Sequence, residues 1–269
     1  MGEKFEKIKT RTFTIVIGVP LVLLIIHLGG VIFHFTIALL AIIGTIELWN
    51  IFKSQHNPSL ILGISASLFF LFRNTMSETF FVNDNLLFTI IILLIFTEHF
   101  LLKANKKYMV INIATTIFIA IYIGHLLSFL IDIRNLTYGS LFIVFALFTT
   151  WMSDTMAYIV GSNFGKKHIF PNISPNKTLE GFIGGILGGS IFGIAFYFLL
   201  PLHPLILFTL GLIAAICGQA GDLFESIIKR NFSVKDSGKL IPGHGGVLDC
   251  MDSILFSVPV LYFCLNYLS

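Results

Sequence analysis

Apolar runs long enough to cross a bilayer recur from Thr12 to the C-terminal end of the chain. Hydrocarbon offers no water to satisfy backbone N–H and C=O groups, so such runs must fold as internally bonded helices. At about 17–25 residues per span, they divide into nine candidates: 12–28, 31–52, 59–73, 86–102, 110–131, 138–161, 179–200, 205–229 and 249–268. Composition agrees, with 56% hydrophobic and only 12% charged residues, about half the charged share of a soluble domain. The expected fold is therefore an all-α polytopic integral membrane protein. The basic start and the apolar run from Phe13 read as a retained first span, because no convincing small-x-small cleavage site follows. Residues 1–137 read as a membrane scaffold of five helices, and 138–269 as four helices carrying the polar loops.

Charge tests the count. With the N-terminus in the cytoplasm, the segments on that side hold Lys4, Lys7, Lys9, Arg11, Lys53, Lys103, Lys106, Lys107, Lys166, Lys167, Lys177, Lys229, Arg230, Lys235 and Lys239. Only Arg73 and Arg134 fall opposite. Basic residues concentrate in cytoplasmic loops, so this bias supports nine spans and places loops 162–178 and 230–248 on the cytoplasmic side. The net charge of +3 needs only anionic lipid headgroups, not nucleic acid, as its partner. Eight acids then fall near the cytoplasmic leaflet: Glu47, Glu98, Asp154, Glu180, Asp222, Glu225, Asp249 and Asp252. A charge at membrane depth is costly, so their shared level predicts a common polar cavity. Glu47 and Glu98 also fit as snorkelled or paired structural groups.

Span 7 repeats glycine at 181, 185, 189 and 193, with a second stripe at 184 and 188. Small residues at this spacing let membrane helices touch backbone to backbone. Two roles fit: a core helix beside the polar site, or the seam of a homodimer. Pro20 and Pro259 are expected to bend or interrupt their helices. Cys217, Cys250 and Cys264 show no paired spacing, which suggests neither a disulfide framework nor a thiolate zinc site.

The stretch 218–253 gathers acids, bases and one histidine between two apolar spans. On a helix, Asp222, Glu225, Ser226 and Lys229 share one face, as do Asp249 and Asp252. Facing carboxylates across a short loop suit a hard cation such as Mg²⁺, which takes oxygen ligands and bridges phosphates. Surrounding lysines and arginines complete a pattern suited to a phosphate-rich substrate. The glycine-rich turn 243–246 permits close backbone approach to a ligand, and neither a P-loop nor a GxGxxG motif occurs.

The order Ser226-x-x-Lys229-Arg230, Lys235-Asp236, then Pro242-x-His244-Gly245-Gly246-x-x-Asp249-x-x-Asp252 resembles the signature of the phosphatidate cytidylyltransferase (CDP-diacylglycerol synthase) family. Ser153-Asp154-Thr155, Gly165-Lys166 and Ser174-Pro175-x-Lys177-Thr178-x-Glu180-Gly181 look like the same family. The resemblance is sharp from about residue 150 onward. It implies transfer of a cytidylyl group from CTP to phosphatidate with Mg²⁺, and in some members a second cation such as K⁺, at a cytoplasm-facing site in the inner membrane. By that resemblance Asp222, Asp249 and Asp252 are expected to hold metal. Lys229, Arg230, Lys235 and Lys239 are expected to take the triphosphate or neutralise the leaving pyrophosphate. Ser174, Lys177, Thr178 and Glu180 are assigned to a substrate phosphate, Asp154 to the cavity wall, and His244, Gly245 and Gly246 to the nucleotide pocket. One position departs: the family pattern has Arg directly after the first aspartate of the final pair, and this chain has Cys250. A cysteine cannot supply a permanent planar cation, so turnover is expected to suffer unless a nearby lysine replaces it. A CTP-dependent lipid kinase, a CDP-ether-lipid synthase, and a membrane transporter or inactive homologue remain alternatives. The acids crowd one leaflet instead of forming a column across the membrane, which weighs against transport.

Overall fold

Every apolar run becomes a helix, and the polar loops stay short enough to keep neighbouring helices in contact. The computed structural model describes the backbone of residues 2–80, 84–101 and 106–268, and the side chains of 12–75, 85–101 and 107–268. Lys4, Lys7, Lys9, Arg11, Lys103 and Lys106, which carry part of the charge argument, lie outside the described side chains. In chain order the helices are α1 (Gly2–Leu28), α2 (Gly30–Lys53), α3 (Leu60–Phe80), α4 (Asp84–Leu101), α5 (Met109–Arg134), α6 (Gly139–Phe164), α7 (Leu179–Phe198), α8 (Pro204–Asn231) and α9 (Val247–Leu268). No strand occurs among the described residues. By length and composition α2 and α5 to α9 can each cross a membrane, while Thr12–Leu28, Leu60–Thr75 and Asn85–Leu101 are shorter apolar helices. The protein is an all-α polytopic membrane protein.

Two details depart from expectation. Pro20 and Pro259 lie inside α1 and α9 without interrupting either helix. Instead, α5 is perturbed, passing through a π-helical turn at Ala120–His125. There a Cβ added at Gly124 would strike the backbone of Ser67. The π turn also lays Tyr122 against Phe118 and Phe224, with ring centroids 5.4 and 5.6 Å apart.

The glycines of α7 settle their own role. A Cβ at Gly185 would meet the carbonyl oxygen of Ser153 at 2.8 Å, and one at Gly189 that of Thr149 at 2.9 Å. The second stripe, Gly184 and Gly188, abuts Val160 and Met156 of the same helix, α6. Gly193 faces α8 through the Leu207 carbonyl, at 2.7 Å. Both stripes are therefore used inside one chain, where they bring α7 close against α6 and α8.

One hydrophobic core spans both halves of the chain, from Phe33 and Ile37 of α2 through Ile123, Phe145 and Leu207 to Leu248 and Leu261 of α9. At one end of the bundle the Arg134 guanidinium packs over the Gly29 turn. Glu47 stands 18 residues further along α2, roughly 27 Å away at 1.5 Å per residue. The polar site is built at that opposite end.

Candidate functional site

The site begins with the start of α9, whose first backbone N–H groups have no partner within the helix. They find one in α2. Val247 N–H donates to Glu47 Oε1 at 3.0 Å, and Leu248 N–H to Glu47 Oε2 at 2.8 Å. Gly246 N–H donates to Asp249 Oδ2 at 2.7 Å, so the acid three residues in reaches back to the cap as in a capping box. The Ser237 hydroxyl lies between the two carboxylates, 3.1 Å from Glu47 and 3.0 Å from Asp249, and its N–H also donates to Asp249 at 2.9 Å. Gly245 adopts φ +103°, a region that disfavours side chains, and a Cβ there would strike Asp249. One on Gly246 would displace Ser237 and Glu47. These two glycines are required because carboxylates occupy the space of their side chains.

Lys229, near the end of α8, joins this network from below. Its ammonium lies 2.6 Å from Asp249 Oδ1 and 3.3 Å from Glu225 Oε2. Glu225 is fully buried. A buried carboxylate is tolerated only when paired, and Lys229 supplies the charge for two of them. Asp249 and Lys229 thus hold each other and the 237–246 loop. Arg230 turns the other way and donates to the carbonyls of Ile173 and Val234 at 3.1 and 3.2 Å. That ties α8 to the loop before α7.

Beside this network is a polar cavity of about 250 Å³ between α6, α7 and α8. Asp154, Tyr158, Asn176, Lys177, Thr178 and Asp222 contribute to its wall. Lys177 bridges to Asp222 at 2.8 Å, and Asp252 and Asp154 both lie close enough to Asp222 to feel its charge. Thr178 caps α7, its hydroxyl accepting the Gly181 N–H at 3.2 Å. Glu180 points to the loop, accepting the N–H groups of Lys166 and Lys167 at 3.0 and 3.3 Å. Ser174 is half-buried in that loop, and Lys235, Lys239 and His244 are exposed on the 232–246 loop.

The eight acids therefore do not share one cavity. Asp154 and Asp222 line it and Asp252 stands close by, while Glu47, Glu225 and Asp249 form the buried network next to it. Glu180 braces a loop. Glu98 lies near its own neighbour His99, at 4.0 Å, and no described contact joins it to the cluster. Depth alone could not separate these roles, because helix rotation decides what each carboxylate faces.

Among the described residues no three His, Cys, Asp or Glu side chains are already arranged to hold a metal ion. The donor chemistry of the cavity nonetheless fits a hard cation. Asp154, Asp222 and Asp252 offer oxygen from three helices, and Lys177 pairs with Asp222. Asp249 differs, since its oxygens already take Lys229 and the loop.

Tyr158, Asn176 and Gln219 also line the cavity, although the sequence motifs assign none of them a role. Gln219 donates to Ser153 Oγ at 3.1 Å and to the Phe182 carbonyl at 3.2 Å, locking α8 to α6 and α7. Helical spacing carried a signal for two of them: Tyr158 follows Asp154 by four residues, and Gln219 precedes Asp222 by three.

A cytidylyltransferase family model matches residues 9–268. The chain belongs to the cytidylyltransferase family. Among its relatives, a phosphatidate cytidylyltransferase of Bacillus subtilis is 36% identical, covering 97% of this chain and 98% of its own length. Proteins of the same name from Staphylococcus saprophyticus and Staphylococcus aureus are 34% and 33% identical, each over 94% of this chain and 97% of the relative. Membership of the cytidylyltransferase family thus extends through the N-terminal helices, including the stretch of α2 that carries Glu47.

Proposed function

We propose that this protein transfers a cytidylyl group from CTP to phosphatidate, giving CDP-diacylglycerol and pyrophosphate for phospholipid biosynthesis. The near end-to-end similarity to proteins named for that reaction carries the reading. The polar cavity supports it, because it opens among membrane helices where a lipid phosphate and a nucleotide can meet. A phosphate oxygen of phosphatidate attacks the α-phosphorus of CTP. A new P–O bond forms, the bond to pyrophosphate breaks, and its electron pair leaves with pyrophosphate. The lipid phosphate is already anionic, so no general base is required.

Lys177 is placed to exchange its carboxylate partner Asp222 for a substrate phosphate. Lys235, Lys239 and His244, exposed on the neighbouring loop, can neutralise the triphosphate, and Lys166 and Lys167 add charge from the other side. Asp222 and Asp252, with Asp154 beside them, would hold Mg²⁺, which would supply positive charge against the phosphates. Asp249 and Lys229 set the position of the loop and of α9. The excess of Lys and Arg on one side supports a site facing the cytoplasm in a bacterial inner membrane.

Membranes containing the protein, supplied with phosphatidate, Mg²⁺ and CTP labelled at the α-phosphate, should form labelled CDP-lipid. Chelation of Mg²⁺ or Asp249→Ala should abolish it. Absence of any labelled lipid, or a label that persists undiminished in Asp249→Ala, would reject the reading. In a parallel reaction with CTP labelled at the γ-phosphate, label entering the lipid in place of the α-label would indicate a lipid kinase instead.

A further inference from the structure

A second cavity, of about 230 Å³, lies between α1, α2, α5, α6 and α9. None of its lining side chains is charged. The Thr36 hydroxyl turns back to the Ile32 carbonyl at 2.8 Å. Much of its wall is interior: Phe33, Leu127 and Ile143 are each exposed by 2% or less. Protein interiors rarely leave voids larger than a water molecule, and an apolar space without hydrogen-bond partners does not hold water. Hydrocarbon is the matching content.

Its position identifies which hydrocarbon. Ile143, Leu147 and Trp151 line it from α6, and the next turn of the same helix carries Asp154 into the polar cavity. Residues 143, 147, 151, 154 and 158 form one continuous stripe at helical spacing. The polar and apolar cavities therefore adjoin along a single face of α6, the apolar one extending about 12 Å from Trp151 to Ile143. On α9, Cys250 and Ile254 line the apolar side, while Asp249, the residue just before Cys250, meets Lys229.

We infer that the apolar cavity binds one acyl chain of the lipid substrate while its phosphate occupies the polar cavity. This inference rests on the lipid-substrate reading above and adds a chain-length ruler to it. Leu147 lies in the middle of the stripe and Ile143 at its deep end. The added ring of phenylalanine would displace roughly two methylenes, worth about tenfold in affinity.

The test uses the purified full-length chain in mixed micelles with dihexanoyl, didecanoyl or dipalmitoyl phosphatidate. Ile143→Phe should raise KM about tenfold for the dipalmitoyl lipid alone. Leu147→Phe should raise it for the dipalmitoyl and didecanoyl lipids. KM for CTP and turnover of the dihexanoyl lipid should hold in both variants. Equal changes for all three lipids in both variants, including complete loss or no change, would overturn the inference. If the unaltered chain makes no CDP-lipid from any of the three, the cytidylyl-transfer reading itself fails.

Discussion

Glu47 shows how much one side chain can organise from outside the polar loops. It lies in the N-terminal half, yet it accepts two N–H groups from the start of α9 and faces the Ser237 hydroxyl. Replacing one carboxylate oxygen by an amide turns a donor toward these donors, and an unsatisfied buried group costs about 1–3 kcal/mol. Glu47→Gln is predicted to lower stability by about 2 kcal/mol and turnover at least tenfold, read by thermal unfolding in detergent and by CDP-lipid formation. Unchanged values for both would show that the carboxylate does not hold the loop. Cys250 makes the opposite case. It stands where the signature has arginine, but its neighbours form the wall of an apolar cavity, where cysteine behaves as a small hydrophobe. Cys250→Ala should therefore keep activity within about threefold, and a loss beyond tenfold would give the thiol a role that its surroundings do not explain.

At the scale of elements, the polar cavity exists because α6, α7 and α8 approach more closely than side chains normally permit. Gly185 is one such tight point beside the site: a Cβ there would meet the Gln219 amide at 2.6 Å and the Ser153 carbonyl at 2.8 Å. Overpacking such a contact costs about 1–3 kcal/mol. Gly185→Leu should destabilise the protein by about that amount and weaken CTP use more than Gly18→Leu, since Gly18 has open space around it. Comparable Tm and KM values for the two variants would show that close packing of α7 is not what shapes the cavity. The repeat itself was plain in the sequence. Its direction was not, because a glycine stripe suits an internal neighbour and a second chain equally well until the facing carbonyls are in place.

Across the whole molecule, the buried carboxylates, the polar cavity and the lysine-bearing loops gather at one end, with Arg134 and the Gly29 turn at the other. The bias of basic residues predicts that the first end is cytoplasmic. Lys235→Cys tests this directly: an impermeant maleimide should label the variant in inverted vesicles and not in intact cells, against unaltered protein as background. Labelling from outside the cell would reverse the orientation and remove the cytoplasmic route for CTP.

The membrane class, the approximate helix positions and the family signature were determined by sequence alone, because they depend on composition and short-range spacing. Asp222, Asp154 and Lys177 were likewise legible as cavity residues from motif and depth. Only the tertiary structure decided that Glu47 belongs to the site, that Asp249 and Lys229 hold each other, and that α7 packs within its own chain. The same holds for the apolar cavity continuing from the polar one. These features join residues as far apart as 47 and 248. They depend on helix rotation and contact, which bring together surfaces that spacing within any one helix cannot relate.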